Sequence, residues 1–158
     1  FSQQALFLMA ALMFVGGGSG STAGGIKVNT FTALVVTAYS YVTGRRNVSA
    51  FGREIPEGQV HQAIAVALLS GLTVYGASMI LTFTESASFL SLSFESVSAF
   101  GTVGLTTGVT PTLSLPGRLI ITVAMFVGRL GPLTIALALT ERQKGEAARH
   151  PEEPIRVG

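Results

Sequence analysis

Apolar positions gather into long blocks along the chain, and the polar residues between them fall in a few short segments. Residues 59–84 and 116–140 are long and apolar enough to cross a hydrocarbon core about 30 Å thick at about 1.5 Å per residue, the second broken only by Arg118 and Arg129. Between them, residues 89–100 read as a short amphipathic helix that cannot make the crossing. A glycine-studded loop follows at once, Gly101-Thr-Val-Gly-Leu-Thr-Thr-Gly108. Residues 85–88 and 109–115 supply turns on either side, and Pro116 suits a first helical turn, where its missing N–H would have no partner anyway. Pro132 predicts a bend in the last helix. A spanning helix, a half-helix, an extended loop and a second spanning helix make a re-entrant unit.

Upstream, residues 1–15 form an apolar block too short to cross comfortably. It runs into Gly16-Gly-Gly-Ser-Gly-Ser-Thr-Ala-Gly-Gly25, with six glycines in ten residues. Each interior glycine costs a helix roughly 1 kcal/mol relative to alanine, so a continuous helix through this run is excluded. Residues 26–42 resume an apolar helix interrupted by Lys27. The simplest reading is one membrane element, residues 1–43, broken by an intramembrane loop at 16–25. Residues 44–58 then form a polar connection and residues 141–158 a polar tail. The fold class expected is an all-α membrane protein: a membrane helix–pore loop–membrane helix repeat (helix 59–84, pore helix 89–100, filter 101–106, helix 116–140) preceded by a broken membrane helix.

Composition sharpens this picture. The 158 residues are 48% hydrophobic and 11% charged, against about 25% charged in soluble domains, and the mean hydropathy is +0.56. There is no cysteine, so neither a disulfide framework nor a thiolate metal site is available. The net charge of +2 sits in flanks rather than on one stripe, which excludes nucleic acid as a partner. Arg45, Arg46, Arg53, Arg142, Lys144, Arg149 and Arg156 fall on one side of the spanning blocks and Arg118 alone on the other. The first side is therefore expected to be cytoplasmic, and the half-helix and its loop enter and leave from outside. The chain opens inside an apolar run with no basic segment ahead of it, which reads as part of a longer polypeptide rather than a signal peptide.

Irregular backbone at membrane depth is tolerated only where it is buried in protein or lines a watery path. The half-helix would aim its C-terminal end, with roughly −0.5 elementary charge, into the membrane. Thr102, Val103 and Gly104 match the opening of the potassium-channel filter, whose carbonyls replace an ion's hydration shell. Thr102, Val103 and Gly104 are thus the candidate ion filter; an ordinary extracellular hairpin would not need an apolar half-helix. Glu95, charged at depth, is read as a structural support, bonding amides behind the filter or facing water at the helix flank, rather than as an ion ligand. Arg129 lies about ten residues from either end of its helix, too deep to snorkel easily, and is placed facing the pore. The glycine run also fits a dinucleotide pattern, but no strand precedes it and no acid follows before Glu54. The Walker pattern fails because Lys27 comes one residue late. Without a preceding strand or an acid at the required spacing, a membrane-bound nucleotide enzyme is set aside. An alternating-access transporter with a broken-helix ion site remains the alternative to a pore.

Three stretches carry a resemblance: Met13-Phe-Val-Gly-Gly-Gly-Ser-Gly-Ser-Thr-Ala-Gly-Gly-Ile-Lys27, Phe94-Glu-Ser-Val-Ser-Ala-Phe-Gly-Thr-Val-Gly-Leu-Thr-Thr-Gly108 and Met125-Phe-Val-Gly-Arg-Leu-Gly-Pro-Leu-Thr134. Together they resemble the Trk/Ktr/HKT potassium-uptake superfamily, within it the C-terminal part of the bacterial membrane subunit. The resemblance implies four pore repeats in a full subunit, of which this chain would hold the last helix of the third and the whole fourth. It implies inward movement of K⁺, with Na⁺ as a coupled or activating ion, across a bacterial inner membrane. Gly104 would be the fourth-repeat filter glycine, with Thr102, Val103 and Leu105 beside it in the filter. Gly16, Gly17, Gly18, Ser19, Gly20, Ser21, Thr22, Ala23, Gly24 and Gly25 would form a gate beneath it, faced by Arg129. Implied partners are a second copy of the full subunit in a homodimer and a cytoplasmic ring of nucleotide-binding RCK subunits.

Overall fold

The computed structural model describes residues 2–18, 20–44, 48–50, 53–131 and 134. Within them the chain is helical: α1 (Gln3–Phe14), α2 (Val28–Val42), α3 (Glu57–Thr84), α4 (Phe89–Phe100) and α5 (Leu115–Leu130), with a short 3-10 turn at Thr110–Thr112. The polar connection before α3 holds a two-residue antiparallel ladder, β1 (Ser49–Ala50) with β2 (Arg53–Glu54), which the alternation of so short a segment does not announce. The expected bend at Pro132, the helix beyond residue 134, the tail at 141–158 and Arg45 and Arg46 lie outside the described residues.

Helix starts follow from local chemistry. Ser2, Ser88 and Ser114 each precede a helix, and each hydroxyl accepts an amide from the first turn, at 3.3 Å from Ala5, Ser91 and Gly117, which satisfies one of the orphan N–H groups there. At α5 the serine is followed by Pro116 in the first turn. Just past the end of α3, Glu85 reaches across to the same helix start, taking the backbone N–H of Ser114 at 3.2 Å as well as its hydroxyl. The Ser114 hydroxyl, and more weakly its amide and the nearby Arg118, hold the Glu85 carboxyl below the usual carboxylate range against the opposing effect of burial. The exit of α3 is thereby tied to the entry of α5.

At 28 residues, α3 is about 42 Å long, enough to cross a bilayer, and an 18-residue window within it has a mean hydropathy of 2.0. The core and the outer surface of the helices are both largely apolar. The serine-rich α4 is innermost, packed against α1, α3 and α5, with eight of its twelve residues buried, Glu95, Ser96 and Ser98 among them. Large apolar side chains also cover the outside: Leu68, Leu72, Phe83, Val123 and Phe126 are all at least 61% exposed. Hydrocarbon accepts such a surface and water does not, and polar groups inside then bond one another. The Ser96 hydroxyl, for example, donates to Leu92 O at 2.9 Å.

α5 packs inward through a buried seam of Gly117, Ile121, Ala124 and Gly128, spaced at three and four residues, and its last turn meets the end of α4. At Gly128 the approach is so close that a Cβ would overlap the Phe100 carbonyl. Gly128→Ala should therefore force the helices apart and cost about 1–3 kcal/mol, read as a lower Tm of the complete polypeptide in detergent. Gly58→Ala, whose added Cβ meets nothing within 4 Å, should leave Tm unchanged or raise it slightly through helix propensity. Equal behaviour of the two variants would show that the α4–α5 contact does not depend on the glycine.

Candidate functional site

Three backbone segments converge on the last turn of α4. The first is the strip that follows it. Gly101 N–H donates to Val97 O at 2.8 Å, Thr102 N–H to Ala99 O at 3.0 Å and Val103 N–H to Ser98 O at 2.9 Å, so the chain unwinds while its amides remain bonded to the helix. Thr102 takes a φ of +51° and Gly104 a φ of +84°, both in the left-handed region. For glycine that conformation is open; for a β-branched threonine it is strained and marks a constrained site. The consequence is a run of unused acceptors. Among the described residues no hydrogen bond reaches the carbonyl oxygens of Thr102, Val103 or Gly104, and all three residues are exposed. Leu105, the fourth expected filter residue, differs: its carbonyl accepts the Ser98 hydroxyl at 2.6 Å, so its oxygen is held by α4.

Glu95 buttresses the strip from behind. It is 4% exposed, and one carboxylate oxygen accepts the Thr106 hydroxyl at 2.7 Å, the Thr107 amide at 2.8 Å and the Thr107 hydroxyl at 3.0 Å. The other accepts the Thr110 hydroxyl at 2.5 Å. Four neutral donors satisfy the acid without a cation, which fixes residues 106–110 onto α4. Their signal lay in the sequence as a cluster of threonines after the filter, with Thr106, Thr107 and Thr110 eleven to fifteen positions beyond the acid. A groove of about 450 Å³ runs alongside, lined by Glu95, Thr102, Gly104 and, from α5, Met125.

The second segment is the glycine loop. Val15 and Ile26 form a parallel bridge, with Gly16 N–H donating to Ile26 O at 2.7 Å and Ile26 N–H to Phe14 O at 3.2 Å. The chain returns beside the point where it left, and the residues between bulge sideways against α4. The Phe14 and Phe100 rings stack with centroids 6.1 Å apart. Gly24 is buried, and its N–H donates to the Thr102 hydroxyl at 2.8 Å; a Cβ there would lie 2.6 Å from Phe100 O. Gly16, Gly17, Gly18, Gly20, Ser21, Thr22, Ala23, Gly24 and Gly25 thus lie in one loop that touches the strip at its first residue, while Ser19 lies outside the described residues.

The third segment is α5 at Gly128. Arg129, next in line, is exposed and makes no hydrogen bond or ion pair among the described residues. The structure does not bring it to the loop hydroxyls or carbonyls. The cation on the loop is Lys27, whose ammonium donates to Ala23 O at 2.6 Å and Ser21 O at 3.2 Å. A lysine in an apolar stretch directly after the glycine run was the available signal, since a charge there needs a partner. Arg129 shares a stripe with Arg118, Thr122 and Met125, all exposed and spaced at three or four residues. Met125 opens onto the groove beside Gly104, so this stripe and the carbonyl strip share a side.

Comparison with known proteins fits this geometry. The sequence profile described as TrkH, cation transport protein, matches residues 1–147. The chain is 40% identical over its whole length to the Ktr system potassium uptake protein B of Vibrio alginolyticus, covering 34% of that protein. It is 42% identical over 147 residues to the protein of the same name from Bacillus subtilis, with 93% of this chain and 33% of that protein covered. It is 39% identical to the potassium/sodium uptake protein NtpJ of Enterococcus hirae, with 99% of this chain and 36% of that protein covered. The chain therefore spans about a third of the length of the curated relatives it matches.

The buttress is open to test. In Glu95→Leu, similar in size but without an acceptor, the Thr107 amide loses its partner, and a buried bond left unmade costs about 1–3 kcal/mol. Hydrogen exchange at the Thr107 amide should quicken by about tenfold or more. An unchanged rate would mean that the carboxylate does not hold the segment.

Proposed function

This chain belongs to the TrkH family of cation transport proteins, and on that premise we propose that it supplies one quarter of a K⁺-conducting pore together with the gate beneath it. The observation that carries this reading is the run of three consecutive carbonyls, Thr102, Val103 and Gly104, left without partners on an exposed strip. They follow a half-helix whose C-terminal end favours a cation. Carbonyls in such a row take the place of hydration water around K⁺, and three further copies of the unit would close the ring that one strip cannot.

On this reading residues 59–140 form the fourth pore repeat and residues 1–43 the end of the third. The loop at 16–25 obstructs the path below the filter, and the α5 stripe ending at Arg129 lines the path. The complete polypeptide sits in the bacterial inner membrane, pairs as a homodimer and takes its signal from cytoplasmic nucleotide-binding RCK subunits. The multi-component naming of the Ktr relatives supports this. K⁺ is the cargo, and Na⁺ enters as a coupled or activating ion, in keeping with the potassium/sodium name of the Enterococcus relative. An alternating-access site would account for the broken helix but leaves the half-helix with its Thr-Val-Gly loop unexplained.

The test is growth of a K⁺-uptake-deficient strain at low K⁺. The complete polypeptide with its regulatory partner should restore growth; correctly inserted protein that fails to do so would refute the reading. In the same assay Gly104→Ser should lower K⁺ over Na⁺ discrimination, because a side chain at a φ of +84° costs about 1–2 kcal/mol and the strip relaxes by rotating its carbonyls. Relative uptake equal to that of wild type would remove Gly104 from the filter.

Arg129 makes a separate prediction. A fixed guanidinium beside the path raises the barrier to a passing cation, so Arg129→Ala should raise K⁺ flux and weaken its dependence on the cytoplasmic partner. Wild-type flux from a properly folded variant would take Arg129 out of the gate.

A further inference from the structure

The peptide unit between Ala23 and Gly24 is bonded at both ends. Its carbonyl oxygen accepts the Lys27 ammonium at 2.6 Å, and its N–H donates to the Thr102 hydroxyl oxygen at 2.8 Å. Lys27 immediately precedes α2, the helix that leads away from the loop. Thr102 is the first residue of the carbonyl strip and its strained position, at a φ of +51°. We infer that Lys27 is a positioning residue for ion selection: through the 23–24 peptide it sets the orientation of Thr102, so that movement of α2 reaches the filter as well as the obstruction. This rests on the pore reading above.

The physics runs in one direction along the chain of bonds. A charged donor on a peptide oxygen polarises the amide and strengthens the bond its N–H makes on the other side. Charge-assisted bonds of this kind are about twice as strong as neutral ones. The strengthened bond falls on a side chain whose backbone is held in an unfavourable region, and such strain persists only where surrounding contacts over-determine it. The contacts are present: the Thr102 amide is fixed on Ala99 O at 3.0 Å, its hydroxyl by Gly24, and the loop backbone lies so close to Phe100 O that Gly24 has no room for a Cβ. Remove the ammonium and the 23–24 peptide is free to tilt. The Thr102 hydroxyl then loses its fixed donor and the adjoining carbonyl can rotate.

A loop that merely blocks the path would behave differently. Loosening it would raise K⁺ and Na⁺ flux together and leave their ratio alone. Coupling through Thr102 changes the ratio, and that is the readout.

The experiment measures K⁺ and Na⁺ flux in proteoliposomes holding the complete polypeptide. Lys27→Met, similar in length but without a donor, should lower the K⁺-to-Na⁺ flux ratio by about three- to tenfold, the scale of one lost hydrogen bond. Lys27→Arg keeps donors and should recover most of the ratio. Thr102→Val removes the acceptor while keeping the branched shape and should shift the ratio in the same sense. The double variant should be no worse than the more severe single one, because both break the same path. An ester in place of the 23–24 amide deletes the N–H with both side chains intact; it should reproduce the shift, and it decides the matter if Lys27→Met does not fold. A wild-type protein that conducts, with Lys27→Met or the ester leaving the ratio unchanged, overturns the inference alone, as do additive effects in the double variant. A wild-type protein that moves neither ion overturns the pore reading and this inference with it.

Discussion

The structure depends on how closely backbone can approach backbone at the C-terminal end of α4. Gly24 from the loop and Gly128 from α5 both press on the Phe100 carbonyl, and Gly101 presses on Met13 O, 2.7 Å from where its Cβ would be. Side chains at these points would hold the segments several ångströms apart. With glycine the helix end is enclosed by protein on two sides, and the strip from Thr102 to Gly104 is left as its exposed continuation. The electrostatic result follows from the packing. Unpaired carbonyls of the last turn and of the strip add to a local negative potential, and close packing keeps water from screening it from behind.

Polar groups inside this fold answer the same requirement. A carboxylate buried as deeply as Glu95 is costly unless donors surround it, and Thr106, Thr107 and Thr110 provide them. Neutral donors satisfy the acid without cancelling its charge. A buried negative charge next to the groove therefore acts in the same sense as the helix end, favouring a cation in front of the strip. Lys27 has the opposite sign, and the carbonyls of Ser21 and Ala23 likewise satisfy its ammonium without cancelling the charge.

The helical segments were legible because hydrophobic blocks and glycine interruptions are strong one-dimensional signals. The observed α3 and α4 fall where residues 59–84 and 89–100 were marked, with α3 beginning at Glu57. The charged oddities were legible as residues needing partners, but not which partners. Glu95 was assigned amides behind the filter; it has one amide and three hydroxyls. The loop was given to Arg129, the deeper and more conspicuous cation, whereas the bonded cation is Lys27, four positions from Ala23 in sequence. A side chain can only reach back that way if the loop doubles over on itself, and the parallel bridge between Val15 and Ile26 that makes it do so has no signature in composition or periodicity. Nor does any sequence pattern reveal that Ser98 would draw the Leu105 carbonyl out of the row.

Arg129 is then left to be explained by the surface it sits on. Around α5 three faces can be told apart: the buried seam of Gly117, Ile121, Ala124 and Gly128, an apolar face with Leu119, Val123, Phe126 and Leu130, and the stripe of Arg118, Thr122, Met125 and Arg129. The apolar face suits lipid. The stripe does not, since a guanidinium without a partner at that depth is among the costliest groups to place in hydrocarbon. It must therefore meet water or further protein, and Met125 puts it on the same side as the unused carbonyls. Two features with separate origins, an unpaired row of acceptors and an unpaired donor, thus open onto one side of the chain. On the proposed pore reading, that side would be an interior surface of the complete polypeptide, wet enough for an arginine and electronegative enough for a cation.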